Sequence, residues 1–375
     1  MAIKDTLLRN LLNLPGWRSR RKIVVFESDD WGSIRMPSLQ ARRAMEAAGL
    51  RLQSKYNQFD HLATPDDLSA LYQVLDSFRD RNGNRPVFTA NSLMANPDFA
   101  RIEEGKFEAY HYEVFTESLK KAGGCASSFD LWLEGMERGL FYPQYHGREH
   151  VNIRLWMKAL REGDEEARLA FRHGFWGHSC TYPGARRRHF LASCDLEKLD
   201  ELPALIHILS DGLGLFEKVF GYRARSFIAS NYIWHPGIEP DLFRAGVLFM
   251  QGTRRGLVPR EESRDFDKKW RILGTRTNAG QYNLVRNVLF EPSQSQQKDW
   301  VRGCLKEINQ AFLVHKPAII STHRLNYIGR LVPENRERNL RLLHSLIGQI
   351  LALWPEVEFM HSEALGRLVA GKDQI

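Results

Sequence analysis

The chain has 375 residues, which is enough for a large hydrophobic core, and its hydrophobic (43%) and charged (26%) fractions are those of a globular protein. These values exclude a disordered or fibrous chain. The formal net charge of +8 would suit an anionic partner, but the basic runs are short and alternate with acidic residues. No nucleic-acid-binding module is recognisable, so we expect a solvated basic surface and no nucleic acid partner.

Cysteine usage and the N-terminus indicate a cytoplasmic location. The four cysteines are far apart and form no Cys-x-x-Cys pair, which is typical of unpaired thiols in a reducing compartment. Charged residues interrupt the leucines of residues 1–20, so we expect an amphipathic segment rather than a signal peptide. No apolar stretch reaches the roughly 18 residues of a transmembrane helix. Membrane contact through the first segment stays open, and the sequence indicates no oligomeric state.

Apolar strand-like runs alternate with helical patterns along the chain. The predicted strands are Lys22–Glu27, Pro86–Thr89, Leu140–Tyr145, Arg225–Ala229, Gly246–Met250, Leu284–Phe290, Pro317–Ser321 and Val357–Met360. Thr64 and Pro65 mark the start of one intervening helix, and Pro355 follows the end of another. The alternation predicts an α/β fold, a distorted (β/α) barrel of about seven or eight parallel strands. We expect one domain, residues 21–372, with a long excursion at residues 252–282.

Three of the predicted strands end in polar residues that suit a catalytic metal site. Asp29 and Asp30 follow the first strand, His146 and His150 the third, and His323 a late one. The carboxyl ends of parallel strands meet at one face. If a helix begins at the third strand end, the two histidines lie on one helical face, and with a carboxylate they leave a coordination position open. Each feature alone also suits a solvated helix, a helix cap or a structural histidine.

The same residues carry a resemblance to a known family. The order Asp-Asp, then His-x-x-x-His, then a late Thr-His resembles the polysaccharide deacetylases, whose motifs read Thr-Phe-Asp-Asp-Gly, His-(Ser/Thr)-x-x-His and Leu-x-His. The stretches "VVFESDDWGSIRMPS", "FTANSLMANPDF", "HGREHVN" and "AIISTHRLNYIG" resemble bacterial polysaccharide (de)acetylase-like proteins more closely. This second resemblance extends over residues 20–365. It implies a distorted α/β barrel and an acetylated carbohydrate as substrate.

The resemblance also implies a role for each matching residue. Asp29 matches the general base and Asp30 the metal-binding carboxylate. His146 and His150 match the two metal-binding imidazoles, and His323 matches the general acid. The implied cofactor is a divalent first-row metal ion, with zinc the leading choice, and the implied reaction is hydrolysis of an N- or O-acetyl group.

Two motifs depart from the family pattern. Trp31 replaces the glycine after the two aspartates, where it would narrow the cleft, stack on a sugar ring or pack in the core. The family motif Arg-x-Pro-aromatic has no clean match; "IASNYIWHP" is the best candidate, so Asn231 and Tyr232 are expected to line the groove. The Tyr232 backbone N–H is the candidate oxyanion donor. Arg286 would orient Asp29, although a structural salt bridge is the favoured interpretation.

The stretch "HGFWGHSCTYPGARRRH" allows a second metal cluster, but its histidines follow no familiar ligand spacing. Those histidines are His173, His178 and His189. We interpret the stretch as a loop over the cleft whose aromatic residues stack on a sugar or pack together. Those aromatic residues are Phe175, Trp176 and Tyr182.

Two other functions remain open from the sequence. A metal-dependent glycoside hydrolase on the same barrel would need a second catalytic carboxylate, and Glu291 or Glu149 would serve if it faces the cleft. A non-catalytic carbohydrate-binding protein would explain the altered third motif but not the intact acidic and histidine motifs. Glu27 is expected to be an inward-facing structural partner.

Overall fold

The computed structural model describes residues 14–180, 182–183 and 189–371. Most of the predicted amphipathic segment, residues 1–13, and the last residue of the predicted domain, 372, lie outside the described residues.

Strands and helices alternate along much of the described chain. The strands are β1 (Ile23–Trp31), β2 (Phe88–Leu93), β3 (Ala95–Pro97), β4 (Tyr112–Val114), β5 (Phe141–Gly147), β6 (Ser226–Ile228), β7 (Phe249–Thr253), β8 (Arg255–Pro259), β9 (Phe266–Trp270), β10 (Tyr282–Arg286), β11 (Val288–Leu289), β12 (Ala318–His323) and β13 (Glu358–Phe359). The helices are α1 (Leu39–Ala47), α2 (Lys55–Phe59), α3 (Pro65–Asp76), α4 (Phe99–Glu104), α5 (Phe115–Lys121), α6 (Ser128–Glu137), α7 (Ile153–Arg161), α8 (Glu165–Arg172), α9 (Leu202–Phe220), α10 (Glu239–Arg244), α11 (Trp300–Leu313), α12 (Pro333–Leu353) and α13 (Ser362–Val369). Short 3₁₀ helices occupy Leu199–Glu201, Ser230–Tyr232, Pro236–Ile238, Pro292–Gln294 and Arg324–Asn326.

The main sheet is a nearly closed parallel barrel, as predicted. Its strands follow the order β10-β7-β6-β5-β2-β1-β12-β11, and β13 pairs with the start of β1. The two ends of this path, β10 and β11, are separated only by Asn287, so one interrupted strand pairs with β7 on one side and β12 on the other. Helices flank the barrel. Each of the eight predicted strand runs contains or overlaps an observed strand.

Burial on both faces explains the composition of the barrel strands. All nine residues of β1 are buried, because the barrel interior covers one face and the flanking helices cover the other. Phe26 stacks on Phe88 of the neighbouring strand with 5.3 Å between ring centroids. The four cysteines are buried and none forms a disulfide, in agreement with the prediction of unpaired thiols.

The predicted helix ends and the long excursion are also present. Thr64 caps α3 in a capping box with Asp67, and Pro65 occupies the first turn. The excursion at residues 252–282 contains an antiparallel hairpin of β8 and β9. None of the described helices combines the length and the hydropathy needed to cross a bilayer.

Candidate active site

A bulge at the end of β1 turns two neighbouring carboxylates toward one cavity. Successive strand residues normally face opposite sides of a sheet. Between Ser28 and Trp31 the register of β1 against β2 shifts, and Asp30 has a φ of 73°, a conformation that is uncommon and strained for a non-glycine residue. As a result Asp29 and Asp30 both line a cavity of about 330 Å³ at the carboxyl ends of the barrel strands.

Asp30, His146 and His150 form a buried group that could hold a metal ion. The Oδ1 atom of Asp30 lies 3.3 Å from Nε2 of each histidine. Bonds of about 2.0–2.1 Å to a tetrahedral ion would separate neighbouring ligand atoms by roughly this distance. The Nδ1 atom of His146 lies 2.8 Å from the Ile228 carbonyl oxygen, which assigns the neutral ring's proton to Nδ1 and leaves the Nε2 lone pair facing Asp30. Two acceptor atoms then face each other, an arrangement that a bound cation stabilises.

Burial and charge set the protonation of this group in the form that metal binding requires. Burial lowers the pKa of His150, although the Asp30 carboxylate opposes the shift, so the imidazole favours its neutral form. Burial would raise the pKa of Asp30, but its close contacts with His146 and His150 hold it well below its ordinary value. The group therefore includes an ionised carboxylate, Asp30, and an imidazole, His150, that favours its neutral form.

The prediction that a helix brings His146 and His150 together is wrong. His146 lies within β5 and α7 begins only at Ile153, so the two histidines do not share a helical face. The strand instead ends at Gly147, whose φ of 122° favours glycine, and the following bend returns His150 to the cavity. The four-residue spacing brings the rings together, with centroids 5.5 Å apart, through a turn rather than a helix.

Arg286 holds Asp29 and Glu27 in one buried ion-pair network. Its Nη1 and Nη2 atoms lie 2.6 Å from the two carboxylate oxygens of Asp29, and its Nε atom lies 2.6 Å from Glu27. Asn91 donates a further hydrogen bond to Asp29 at 2.8 Å. Burial would raise the pKa of Asp29, but the Arg286 charge lowers it overall, so Asp29 is ionised. Arg286 thus both orients Asp29 and forms the structural salt bridge, and Glu27 is the inward-facing partner that we expected.

His323 is held on the adjacent strand by a second carboxylate. His323 pairs in register with Asp29 in the parallel ladder of β1 and β12. Its Nε2 atom lies 3.7 Å from Asp29 Oδ2. Its Nδ1 atom lies 2.5 Å from Glu291, whose other oxygen accepts a hydrogen bond from Asn326 at 2.8 Å. Burial would lower the pKa of His323, but Glu291 and Asp29 raise it well above its ordinary value, so the ring is a cation at neutral pH.

Two expectations about substrate contacts need correction. Trp31 does not line the cavity: it is 1% exposed, donates a hydrogen bond from Nε1 to Ser28, and packs edge-on against Phe141. The bulge that turns Asp30 inward leaves the following indole in the core. Asn231 and Tyr232 do line the cavity. The Tyr232 backbone N–H, however, donates to the Ala229 carbonyl at 3.0 Å and is not free to bind an oxyanion.

The other candidate residues lie in supporting positions. Neither Glu291 nor Glu149 lines the cavity: Glu291 binds His323, and Glu149 accepts a hydrogen bond from Arg148 at 2.7 Å. Phe175, Trp176 and Tyr182 are buried, which agrees with packing, and Trp176 stacks behind His150 with 5.9 Å between centroids. Within the described residues, no second group of metal-binding side chains includes the loop histidines His173, His178 and His189.

Sequence reasoning missed Arg35 and Tyr56, which complete the cavity wall together with Ser54 and Leu191. Arg35 lies five residues after Asp30 in the quoted "DDWGSIRMPS" stretch, and that proximity was the available signal. Tyr56, which contacts His323 edge-on with centroids 5.2 Å apart, gave no signal because it lies in the short helix α2, which no motif of the sequence marks.

Comparisons with known proteins assign the chain to no family. No protein-family model and no curated protein matches the sequence. Among solved structures, similar chains include 4-α-glucanotransferase from Thermococcus litoralis, with 9% identity and a TM-score of 0.43 over 94% of this chain and 40% of that one. Puue allantoinase has 10% identity and a TM-score of 0.43, with 96% and 94% covered. Peptidoglycan deacetylase PdaC from Bacillus subtilis has 8% identity and a TM-score of 0.35, with 94% and 92% covered. This chain therefore spans less than half of the first of these proteins.

Proposed function

We propose that this protein is a metal-dependent hydrolase that removes an acetyl group from an N- or O-acetylated sugar. One observation carries the proposal: a buried Asp-His-His group lies in the same cavity as a fixed carboxylate and a charged histidine. Asp30, His146 and His150 would hold the ion, and we assign zinc because a mixed set of two imidazoles and one carboxylate is typical of catalytic zinc. The ion would supply polarisation of the acetyl carbonyl and acidification of a water molecule.

The protein's own groups provide the proton transfers. Asp29 would accept a proton from the attacking water, and Arg286 fixes its orientation by contacting both carboxylate oxygens. His323 would donate a proton to the leaving amine or alkoxide. Glu291 favours the protonated ring at neutral pH, so the donor is charged before the substrate binds. The proton acceptor and the proton donor lie side by side, with His323 Nε2 3.7 Å from Asp29 Oδ2, so a single acetyl linkage would contact both.

The two alternative functions fit this cavity less well. A glycoside hydrolase uses two carboxyl groups on either side of the scissile bond, about 5–9.5 Å apart. The only carboxylates that line the cavity in the described part of the chain are Asp29 and Asp30, which are neighbours and are both engaged. A binding protein would need neither an arginine clamp on Asp29 nor a carboxylate behind His323.

The test is acetate release from acetylated sugars by chelated protein and by the same protein reloaded with zinc. We expect release only after reloading and no production of reducing ends from glycosidic bonds. Reducing ends without acetate would favour the glycoside hydrolase. Binding of oligosaccharide with neither product would favour the binding protein.

A further inference from the structure

Arg35 places an unmatched positive charge in the cavity wall. The residue is 6% exposed and lines the cavity, and its Nε atom donates to Asn57 at 3.2 Å. Its guanidinium carbon lies 5.3 Å from the Trp176 ring centroid and 5.7 Å from that of Tyr56. Within residues 14–180, 182–183 and 189–371, its two terminal nitrogens have no hydrogen-bond acceptor and no carboxylate partner.

The acidic groups around the cavity are engaged elsewhere. Asp29 is paired with Arg286, and Glu291 with His323. Asp60, which interacts electrostatically with Arg35, accepts two hydrogen bonds from Arg324 at 3.0 and 2.8 Å. Asp30 is the acidic group that interacts most strongly with Arg35, but it belongs to the candidate metal group, where a divalent ion would more than balance its charge.

The two aromatic rings beside the Arg35 guanidinium show its position in the cavity wall. Trp176 stacks on His150, and Tyr56 contacts His323, so Arg35 spans the wall between the candidate metal group and the candidate proton donor. A Cβ atom at Gly177 would lie 2.7 Å from Arg35 Nε, so a larger residue at position 177 would displace the Arg35 side chain from this position.

We propose that Arg35 binds a carboxylate or phosphate group of the substrate, so that the preferred substrate is an anionic acetylated sugar. The inference rests on the proposed function and names its substrate class. A guanidinium offers two parallel donors that match the oxygens of either group, and burial strengthens the charge interaction. A neutral sugar would leave the Arg35 charge buried and unmatched.

The test is calorimetric binding of three probes to zinc-loaded and to chelated protein. The probes are N-acetylmuramic acid, which carries a carboxylate, N-acetylglucosamine 6-phosphate, and neutral N-acetylglucosamine. We expect at least one anionic probe to bind zinc-loaded protein about tenfold or more tightly than the neutral probe, and chelated protein by a smaller factor, because the Asp30 charge is then unbalanced. The anionic probe that binds more tightly shows whether Arg35 prefers a carboxylate or a phosphate. Arg35→Gln should remove the preference and leave the neutral probe's Kd unchanged, and Arg35→Lys should retain part of it.

The control Arg223→Gln removes the same charge from an exposed position and should preserve the preference. The inference is wrong if the wild type binds anionic probes no more tightly than the neutral probe. It is also wrong if Arg35→Gln weakens all three probes equally, which would indicate a purely structural role. Binding of the probes requires no turnover. If Arg35→Gln loses the preference for the anionic probe but the wild type releases no acetate from any acetylated sugar, the result supports this inference and contradicts the proposed function.

Discussion

At the scale of single residues, Arg286 pairs with two carboxylates that have different positions relative to the cavity. Glu27 is fully buried and also accepts a hydrogen bond from Ser362 at 2.7 Å, whereas Asp29 lines the cavity. The two residues are two positions apart on β1 and face the same side. Substitution of either carboxylate by an amide removes one of the two negative charges that pair with the Arg286 guanidinium. Only Asp29 lines the cavity, so only Asp29 can contact a substrate there.

Asp29→Asn should abolish turnover and leave the metal bound, because in the proposed mechanism Asp29 accepts the proton and Asp30 binds the metal. The expected loss in kcat is at least about a hundredfold, measured as acetate release alongside the metal-to-protein ratio. Glu27→Gln is the matched control; it loosens Arg286 and should reduce kcat much less. Retained turnover in Asp29→Asn would contradict the assignment of the base.

The pH profile should depend on Glu291. Because Glu291 raises the pKa of His323 well above its ordinary value, the active protonated ring persists at neutral pH and is lost as the pH rises through the raised pKa. Glu291→Gln keeps a hydrogen-bond acceptor but removes the charge. The alkaline limb of kcat/KM should therefore move to lower pH. Glu363→Gln, which removes a buried carboxylate outside the cavity, should leave that limb in place; an unshifted limb in Glu291→Gln would exclude His323 as the acid.

The sequence predicted which polar residues lie together at the strand ends, but not the side chains that contact them. The residues at the ends of β1, β5 and β12 were identifiable because parallel strands end on one face. The pairing of His323 with Glu291, 32 positions earlier, and the burial of Trp31 depend on tertiary packing that no local pattern encodes.

At the scale of single elements, α9 positions the strand that carries His146. Gly212 of this helix approaches β5 so closely that a Cβ atom would overlap the Tyr145 hydroxyl and lie 2.9 Å from Arg148 Cβ. That hydroxyl donates to the Leu209 carbonyl at 2.9 Å. The helix and the strand are therefore in contact directly beside the candidate metal group.

Gly212→Ala should destabilise the protein by about 1–3 kcal/mol, because overlap outweighs the gain in helix propensity. Gly214→Ala, in the same helix but facing open space, should stabilise it by about 0.5–1 kcal/mol. Urea unfolding of the two variants measures both effects. Equal changes of the same sign would show that the contact with β5 does not limit the residue at position 212.

The elements themselves were predictable where local signals were strong. Thr64 and Pro65 correctly marked the start of α3, and each of the predicted apolar runs overlaps an observed strand. The bulge at Asp30 and the bend after Gly147 were not predictable, because each depends on backbone geometry that no local sequence pattern marks. The helical explanation for His150 was wrong for that reason, although the residue itself lies in the expected group.

At the scale of the whole molecule, Asn287 closes the barrel at the break between β10 and β11. Its Oδ1 atom accepts from the Ile319 N–H and its Nδ2 atom donates to the Pro317 carbonyl, both at 2.9 Å. The side chain thus replaces backbone hydrogen bonds that the interrupted strand does not make to β12.

Asn287→Ala should lower the free energy of unfolding by about 1–3 kcal/mol, because it leaves backbone groups unpaired. Gln349→Ala removes an exposed hydrogen bond on α12 and should change it by less than about 0.5 kcal/mol. Urea denaturation with an unchanged m-value tests both. Equal stability of Asn287→Ala and wild type would mean that the backbone closes the barrel unaided.

The central claim, a metal-dependent hydrolase, is tested most directly by the metal content of purified protein, measured by mass spectrometry. We predict about one zinc or similar divalent ion per wild-type chain, since one group supplies three ligands. The His146→Ala/His150→Ala double variant should lose the ion while keeping its circular dichroism spectrum. Wild-type protein that takes up no divalent metal even when supplied with it would contradict the account.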